Sequence, residues 1–271
     1  NTLPESVFQE RICGEPCPPS GLVFKEFRPD VHIVETEYDP ELPVYIWIDP
    51  GYQHPYAVEV AQVVGEQVRF IDEIYERGMI TEDIIQICLS RPWWANPNKI
   101  GVVDVAARQH QAMPAVHEIL AASPDRGGAG LYLATNRVDI GDGIDRFATC
   151  LKVNPLTGQP GMVFSPQCKG ILSELGAYPN PFDGQTRVYS WKMDESGNVV
   201  GFVPEDKNND GIKAATYGLV EKFGFVEYNA SILEPAELYK EKSGEEIVNE
   251  QTYTFKDQTA LDNFKKAAGI P

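Results

Sequence analysis

Long hydrophobic runs are missing from this 271-residue chain. No apolar stretch approaches the roughly 18 residues that a membrane-spanning helix requires, so neither such a helix nor a membrane partner is expected. Basic residues are in deficit: 23 Lys and Arg face 40 Asp and Glu, a net charge of -17. That balance argues against a broad basic groove able to grip nucleic acid unaided. Cysteine is scarce and odd in number, with five residues at 13, 17, 88, 150 and 168. That is too few for a disulfide framework and makes a reducing compartment the expectation. Cys13 and Cys17 have the spacing of half a zinc site, but no second Cys or His pair follows at finger distance, and His32 is the only nearby candidate. Structural zinc is therefore not expected. The start, Asn1 to Ser6, lacks the basic and apolar segments of a signal peptide. The missing first methionine leads us to expect a fragment or a processed product. No G-x-x-x-x-G-K-[ST] occurs anywhere, which excludes an ATP-hydrolysing phosphate loop within this sequence.

What is present is the composition of a globular protein with ample core, 42% hydrophobic and 23% charged. Residues 1–40 are rich in Pro and Gly and read equally as an extended arm or as an irregular lead packed on the core. From residue 43 the pattern sharpens. Apolar runs predict strands at Val44–Ile48, Tyr56–Val64 and Gln67–Tyr75, with Gly65-Glu66 as a hairpin turn. Thr81 is placed to cap a helix that Pro92 ends. Strands at Ile100–Val103, Leu131–Leu133 and Met162–Phe164 then alternate with helices at His110–Ala121, Gly143–Leu151 and Lys169–Tyr178. A hairpin, Arg187–Lys192 with Val199–Val203, precedes a last helix from Asp210 to Phe223. Three meandering strands followed by alternation predict an α/β fold, a mixed sheet flanked by helices with an inserted β-hairpin before the last helix. The domain is expected over 41–224, with an acidic tail over 225–271.

Three carboxylates stand on different elements. Asp49 ends the first strand and Asp104 ends the Ile100–Val103 strand. Asp210 opens the last helix, with Asp206 one turn earlier as its competitor. Two strand-end acids and a helix-start acid are the skeleton of a two-metal nuclease, in which rigidly held carboxylates gather divalent ions. Mg²⁺ or Mn²⁺ is the expected metal, two ions in all.

Four stretches carry a resemblance to a known family. Val44-Tyr45-Ile46-Trp47-Ile48-Asp49-Pro50-Gly51 resembles the first strand, with its catalytic Asp, of the nuclease domain of bacteriophage large terminases. Val68 to Tyr75 resembles that domain's third strand, and Ile100-Gly101-Val102-Val103-Asp104-Val105-Ala106 resembles the strand bearing its second acid. Asp206 to Tyr217 resembles the final helix with the third. Gly14-Glu15 with Gly21-Leu22-Val23-Phe24 is similar to the junction after the family's ATPase motor. The match covers roughly residues 8–225. The family's last motif usually reads Asp-His-x-x-Asp-Ala-Leu-Arg-Tyr. Alignment on Tyr217 sets Asn209 in the ligand position, and alignment on the acid sets Asp210 there, so the third ligand stays open between Asp210 and Asp206.

The resemblance implies a ribonuclease H-like fold and a metal-dependent endonuclease that cuts concatemeric double-stranded viral DNA during genome packaging. It also implies an ATPase domain in the same polypeptide, a small terminase subunit and a portal protein as partners. The implied location is the host cytoplasm, transiently on the procapsid. Two other readings use the same residues. One is another ribonuclease H-like nuclease, such as a junction resolvase or a transposase core. The other is a catalytically silent docking module of a packaging motor.

Further residues receive plainer readings. Glu73 reads as a solvated strand-end charge ahead of an extra ligand, and Trp93-Trp94 as a packing anchor. Lys99, Arg108, Arg137, Arg146 and Lys169 are candidate phosphate contacts, none of them preferred. From the charge balance, the isolated chain should bind duplex DNA weakly and with steep salt dependence. Submicromolar binding in about 0.2 M salt, without metal or partner, would contradict this.

Overall fold

The computed structural model describes residues 21–104, 114–135 and 137–226. Cys13 and Cys17 with the first half of the Pro/Gly-rich arm, Val105-Ala106, Arg108, residues 110–113 of the helix expected from His110, and the tail from 227 lie outside these residues; that helix begins at Val116, with Ala115 as its N-cap. A short helix, α1 (Pro29–His32), leads into β1 (Val44–Asp49), β2 (Tyr56–Val64) and β3 (Gln67–Glu76). Then come α2 (Thr81–Leu89), β4 (Lys99–Val103), α3 (Val116–Ala121), β5 (Leu133–Ala134) and α4 (Ile140–Leu151). The described chain ends with β6 (Met162–Phe164), α5 (Lys169–Glu174), the hairpin β7 (Trp191–Met193) and β8 (Val199–Pro204), and α6 (Asp210–Phe223).

Six strands form one mixed sheet in the order β5-β4-β1-β2-β3-β6, and β7 with β8 forms a separate ribbon. β1, β2 and β3 are antiparallel neighbours, while β4 runs parallel to β1 with Ile48 opposite Val103. Strand alternation sorts the core into two layers. Val44, Ile46, Ile48, Val58 and Val60 face α2, α3 and the buried Trp93. Tyr45, Trp47, Ala61 and Phe70 face α4, α5 and α6. The sheet is mixed and helix-flanked, with the hairpin inserted before the last helix, as expected.

Local departures have local causes. The helix after β3 starts on Thr81, and Ile80 is the N-cap, its N–H donating to Asp83 at 3.3 Å; Thr81 is therefore not the cap residue. β5 begins two residues late, at Leu133, since only Gly101 and Val102 of β4 pair with it. α5 stops at Glu174, four residues before Tyr178, because Leu175 and Gly176 close the turn, with Gly176 in the left-handed region at φ 82°. His32 is fully buried, with Nε2 donating to the Leu151 carbonyl at 2.8 Å and Nδ1 accepting the Arg28 N–H at 3.0 Å, so both ring nitrogens serve the fold. Trp93 is a packing anchor, its indole N–H donating to Asp72 at 2.7 Å.

α6 crosses the sheet over β1, β2 and β4. Gly218 permits this close approach: a Cβ there would run into the Trp47 ring. Gly218→Ala should gain about 1 kcal/mol of helix propensity yet lose more through overpacking that costs about 1–3 kcal/mol. A lowered urea midpoint at unchanged m-value is expected. A midpoint equal to or above wild type would mean that α6 does not rest on Trp47.

Candidate active site

β1 and β4 run side by side and in the same direction, so the chain leaves both strands at the same end of the sheet. Asp49 is the last residue of β1, and Asp104 follows β4 directly. Both are half-buried. α6, lying over these strands, begins at Asp210 with Asn209 as its N-cap. Asn208 turns the chain into that cap at φ 53°, the one left-handed non-glycine among the described residues, a conformation Asn tolerates better than most. Asp49, Asp104 and Asp210 thus converge from three elements. Asp206 sits before the helix, its side chain 87% exposed and ion-paired with Lys213 at 2.9 Å.

The electrostatics show how tightly the acids are coupled. Burial pushes the Asp49 carboxyl up to about 8, and Asp210, Asp104 and Asp206 push the same way against Lys213. Asp210 is raised too, chiefly by burial, with Lys213, His54 and Arg77 opposing. Asp206 is lowered by its hydrogen bond to Lys213. Burial is the largest influence on Lys213 and works to lower it, but Asp206, Asp49 and Asp210 outweigh burial and hold the ammonium above its ordinary value. Lys213 therefore stands among the acids as their counter-charge. Tyr217, one turn further along α6, stands near Asp49 and Asp104, and burial together with these acids raises its phenol well above the ordinary range. Among the described residues no group of three or more His, Cys, Asp and Glu forms a ready-made metal cage.

Beneath this surface lies a second set of acids. Glu174 is 1% exposed and accepts N–H groups from Gly211 at 3.1 Å and Ile212 at 2.8 Å, and the Tyr75 hydroxyl at 2.7 Å. One carboxyl group therefore holds the first turn of α6 next to Asp210. Burial pushes Glu174 up to about 8, with Asp210 adding. Glu73 accepts N–H groups from Gly170 at 2.6 Å and Ile171 at 2.7 Å at the start of α5. It is neither a solvated strand-end charge nor free to bind a metal: the close packing of α5 on β3 turns it inward. Glu59, opposite Glu73 across β2 and β3, is fully buried, and neither of its carboxyl oxygens accepts a hydrogen bond. Burial, with the neighbouring Glu73 adding, pushes the Glu59 carboxyl well above the usual carboxylate range and favours its neutral form.

Lys213, Glu59 and Glu174 carry no role in the sequence reading, and Tyr217 enters it only as the residue on which the last motif is aligned. Asp210, Lys213 and Tyr217 share a stripe at i, i+3 and i+7, a signal that was available. A glutamate inside the apolar run Val58-Glu59-Val60 is another. The bases proposed for phosphate are spread elsewhere. Arg146 binds carbonyls past the end of α6, including Gly224 at 2.8 Å, Lys99 donates to the Asn96 carbonyl, and Arg137 pairs with Asp139 at 3.7 Å. Lys169 is exposed at the start of α5.

This architecture occurs in solved structures. The large terminase from a thermophilic bacteriophage matches with a TM-score of 0.53 at 18% identity, over 81% of this chain and 49% of that one. The same protein in complex with ATP-gamma-S matches at 0.52 and 19%, over 79% and 49%. The P22 large terminase nuclease domain matches at 0.51 and 15%, over 76% of this chain and 94% of that one. The chain thus spans about half the length of the thermophilic phage protein and nearly all of the P22 nuclease domain. At these identities the likeness is one of fold, and the fold is the ribonuclease H-like one of large terminase nuclease domains. No protein-family model matches the chain, and no curated protein matches it in sequence.

The raised carboxyls have a pH consequence. The folded protein retains protons that unfolded carboxyls have already released, so raising pH favours the unfolded state between the unfolded values near 4 and the folded values near 8. Metal-free protein should therefore lose stability steadily from about pH 5 to about pH 8, and Asp49→Asn should flatten part of that slope. Thermal melts across this range check it. A melting temperature that rises throughout the window would refute the electrostatic assignment.

Proposed function

We propose that this chain is a metal-dependent endonuclease that hydrolyses phosphodiester bonds of double-stranded DNA, acting as the cutting part of a genome-packaging terminase. The observation that carries this reading is the convergence of Asp49, Asp104 and Asp210, from two adjacent parallel strand ends and one helix start, within the terminase-nuclease fold. Burial, with Asp210 and Asp104 adding and Lys213 opposing, raises the proton affinity of Asp49. The donors are all hard oxygens, which suit Mg²⁺ or Mn²⁺. Asp49, Asp104 and Asp210 would hold the metal, with Asp206 as the alternative to Asp210. When bound, two such ions would activate a water and stabilise the leaving oxygen.

The chain's own residues do the remaining work. Tyr217 stands beside Asp104 on the stripe of α6 that also carries Asp210 and Lys213. Lys213 balances the acids and holds Asp206 to one side. Glu174 fixes the helix start that carries Asp210. An ATPase domain in the same polypeptide, a small terminase subunit and a portal protein are the partners this reading calls for, with action in the host cytoplasm on concatemeric DNA.

Plasmid nicking with Mn²⁺ or Mg²⁺ tests the activity. Asp49→Asn and Asp104→Asn should each reduce nicking by at least about a hundredfold, the order expected when a main electrostatic group is lost, while the fold persists. Wild-type nicking by either variant at limiting metal would remove it from the site. Asp210→Asn should be inactive and Asp206→Asn active across a Mn²⁺ titration; the reverse moves the third ligand to Asp206.

A further inference from the structure

A cavity of about 470 Å³ opens beside Asp210, lined by His54, Tyr75, Arg77, Asn180, Arg187, Val188, Lys207 and Asn208 as well. Its position in the fold is distinctive. In a chain of net charge -17, three Lys and Arg side chains and a histidine meet around one hollow, with Asp210 the single acid in its wall. They arrive from four separate places: the β1–β2 loop, the end of β3, the segment before β7 and the segment before α6. Each is held. Gly51 folds the β1–β2 loop tightly enough that a Cβ there would lie 2.7 Å from the His54 carbonyl oxygen. The Arg77 guanidinium lies 4.3 Å above the Phe182 ring, which in turn stacks on Tyr75 at 5.7 Å. Arg187 pairs with Asp183 at 2.6 Å, and Lys207 with Glu205 at 3.6 Å, acids that lie outside the lining. Those pairs position the bases without filling the hollow.

We propose that this cavity seats the sugar-phosphate backbone of duplex DNA next to the acids, with Arg77 and Lys207 as the main phosphate contacts and His54 and Arg187 beside them. Stacked or paired cations lose little freedom on meeting a phosphate, and Arg presents a planar fork suited to phosphate oxygens. Asn180 and Asn208 add uncharged polar groups. The volume falls within the range of about 300–1,000 Å³ typical of binding pockets, enough for a sugar-phosphate unit. This assignment deepens the nuclease reading by naming the residues that present DNA to it, and none of them is among the bases singled out from sequence.

The test is duplex binding by the whole chain, followed by fluorescence anisotropy over a salt titration without divalent metal. The variants are Arg77→Gln, Lys207→Gln and, as a control with the same change of net charge, Arg126→Gln on the exposed turn Pro124–Arg126. Each cavity variant should weaken binding roughly fivefold to tenfold near 0.1 M salt and lower the slope of log K against log salt by about 0.9. Arg126→Gln should leave the slope unchanged. Equal weakening by all three variants would mean that only overall charge matters, and would overturn the proposal. So would unchanged slopes for Arg77→Gln and Lys207→Gln with their melting temperatures preserved. Because binding is read apart from cleavage, a chain that docks DNA here but never nicks keeps this assignment and loses the nuclease reading. A chain that nicks while the cavity variants bind as wild type does the opposite.

Discussion

The seating of α6 on the sheet is the constraint on which the site depends. Two contacts define it. At the middle of the helix Gly218 lets the backbone down onto Trp47, and at its start the Glu174 carboxyl collects the Gly211 and Ile212 N–H groups. A helix start leaves its first N–H groups without partners inside the helix, and an acid accepts them well. Here that acid comes from α5, whose own first turn is met by Glu73 of β3. Sheet, α5 and α6 are thereby linked end to end by carboxyl-to-amide contacts. The position of Asp210 relative to Asp49 and Asp104 follows from that linkage.

This scaffold carries an electrostatic cost. Asp49, Glu59, Glu73 and Glu174 all have proton affinities raised by burial and by neighbouring acids. Lys213 relieves only part of it. Sites built for chemistry often concentrate such perturbed groups, whereas purely structural acids are more often paired with bases. Asp210 faces the cavity, and Asp49 and Asp104 lie at the strand ends. Glu73 and Glu174 are consumed by amide hydrogens, which separates the acids that could meet a ligand from those that hold the frame.

Much of the frame was legible in the sequence, and the reason is physical. β2 spans Tyr56–Val64 and α6 spans Asp210–Phe223, the expected bounds in both cases, because apolar runs and turn residues mark them locally. Asp49 and Asp104 stood out because each ends such a run. Glu73 was misread because its partners are backbone amides of α5, groups that become available only when a distant helix packs against the strand. Glu174 escaped notice for the same reason, its partners being the Gly211 and Ile212 amides of a later helix, whereas Glu59 stands in an apolar run and carries a local signal. The basic cavity was invisible too: His54, Arg77, Arg187 and Lys207 share no segment and no spacing, and only the closed fold brings them together.

The outer strands of the sheet bear on how the molecule behaves in a crowd of copies. β5 contributes two residues and β6 three, and Ile33 bridges to Phe164 on the β6 side. A long open strand is a template on which a second chain can add its own, the first step toward fibrous or amorphous aggregation. Among the described residues both margins are stubs, while the longest strands, β2 and β3, lie inside. Together with a net charge of one sign, this blunts edge-to-edge growth through the six-stranded sheet that aligns the acids.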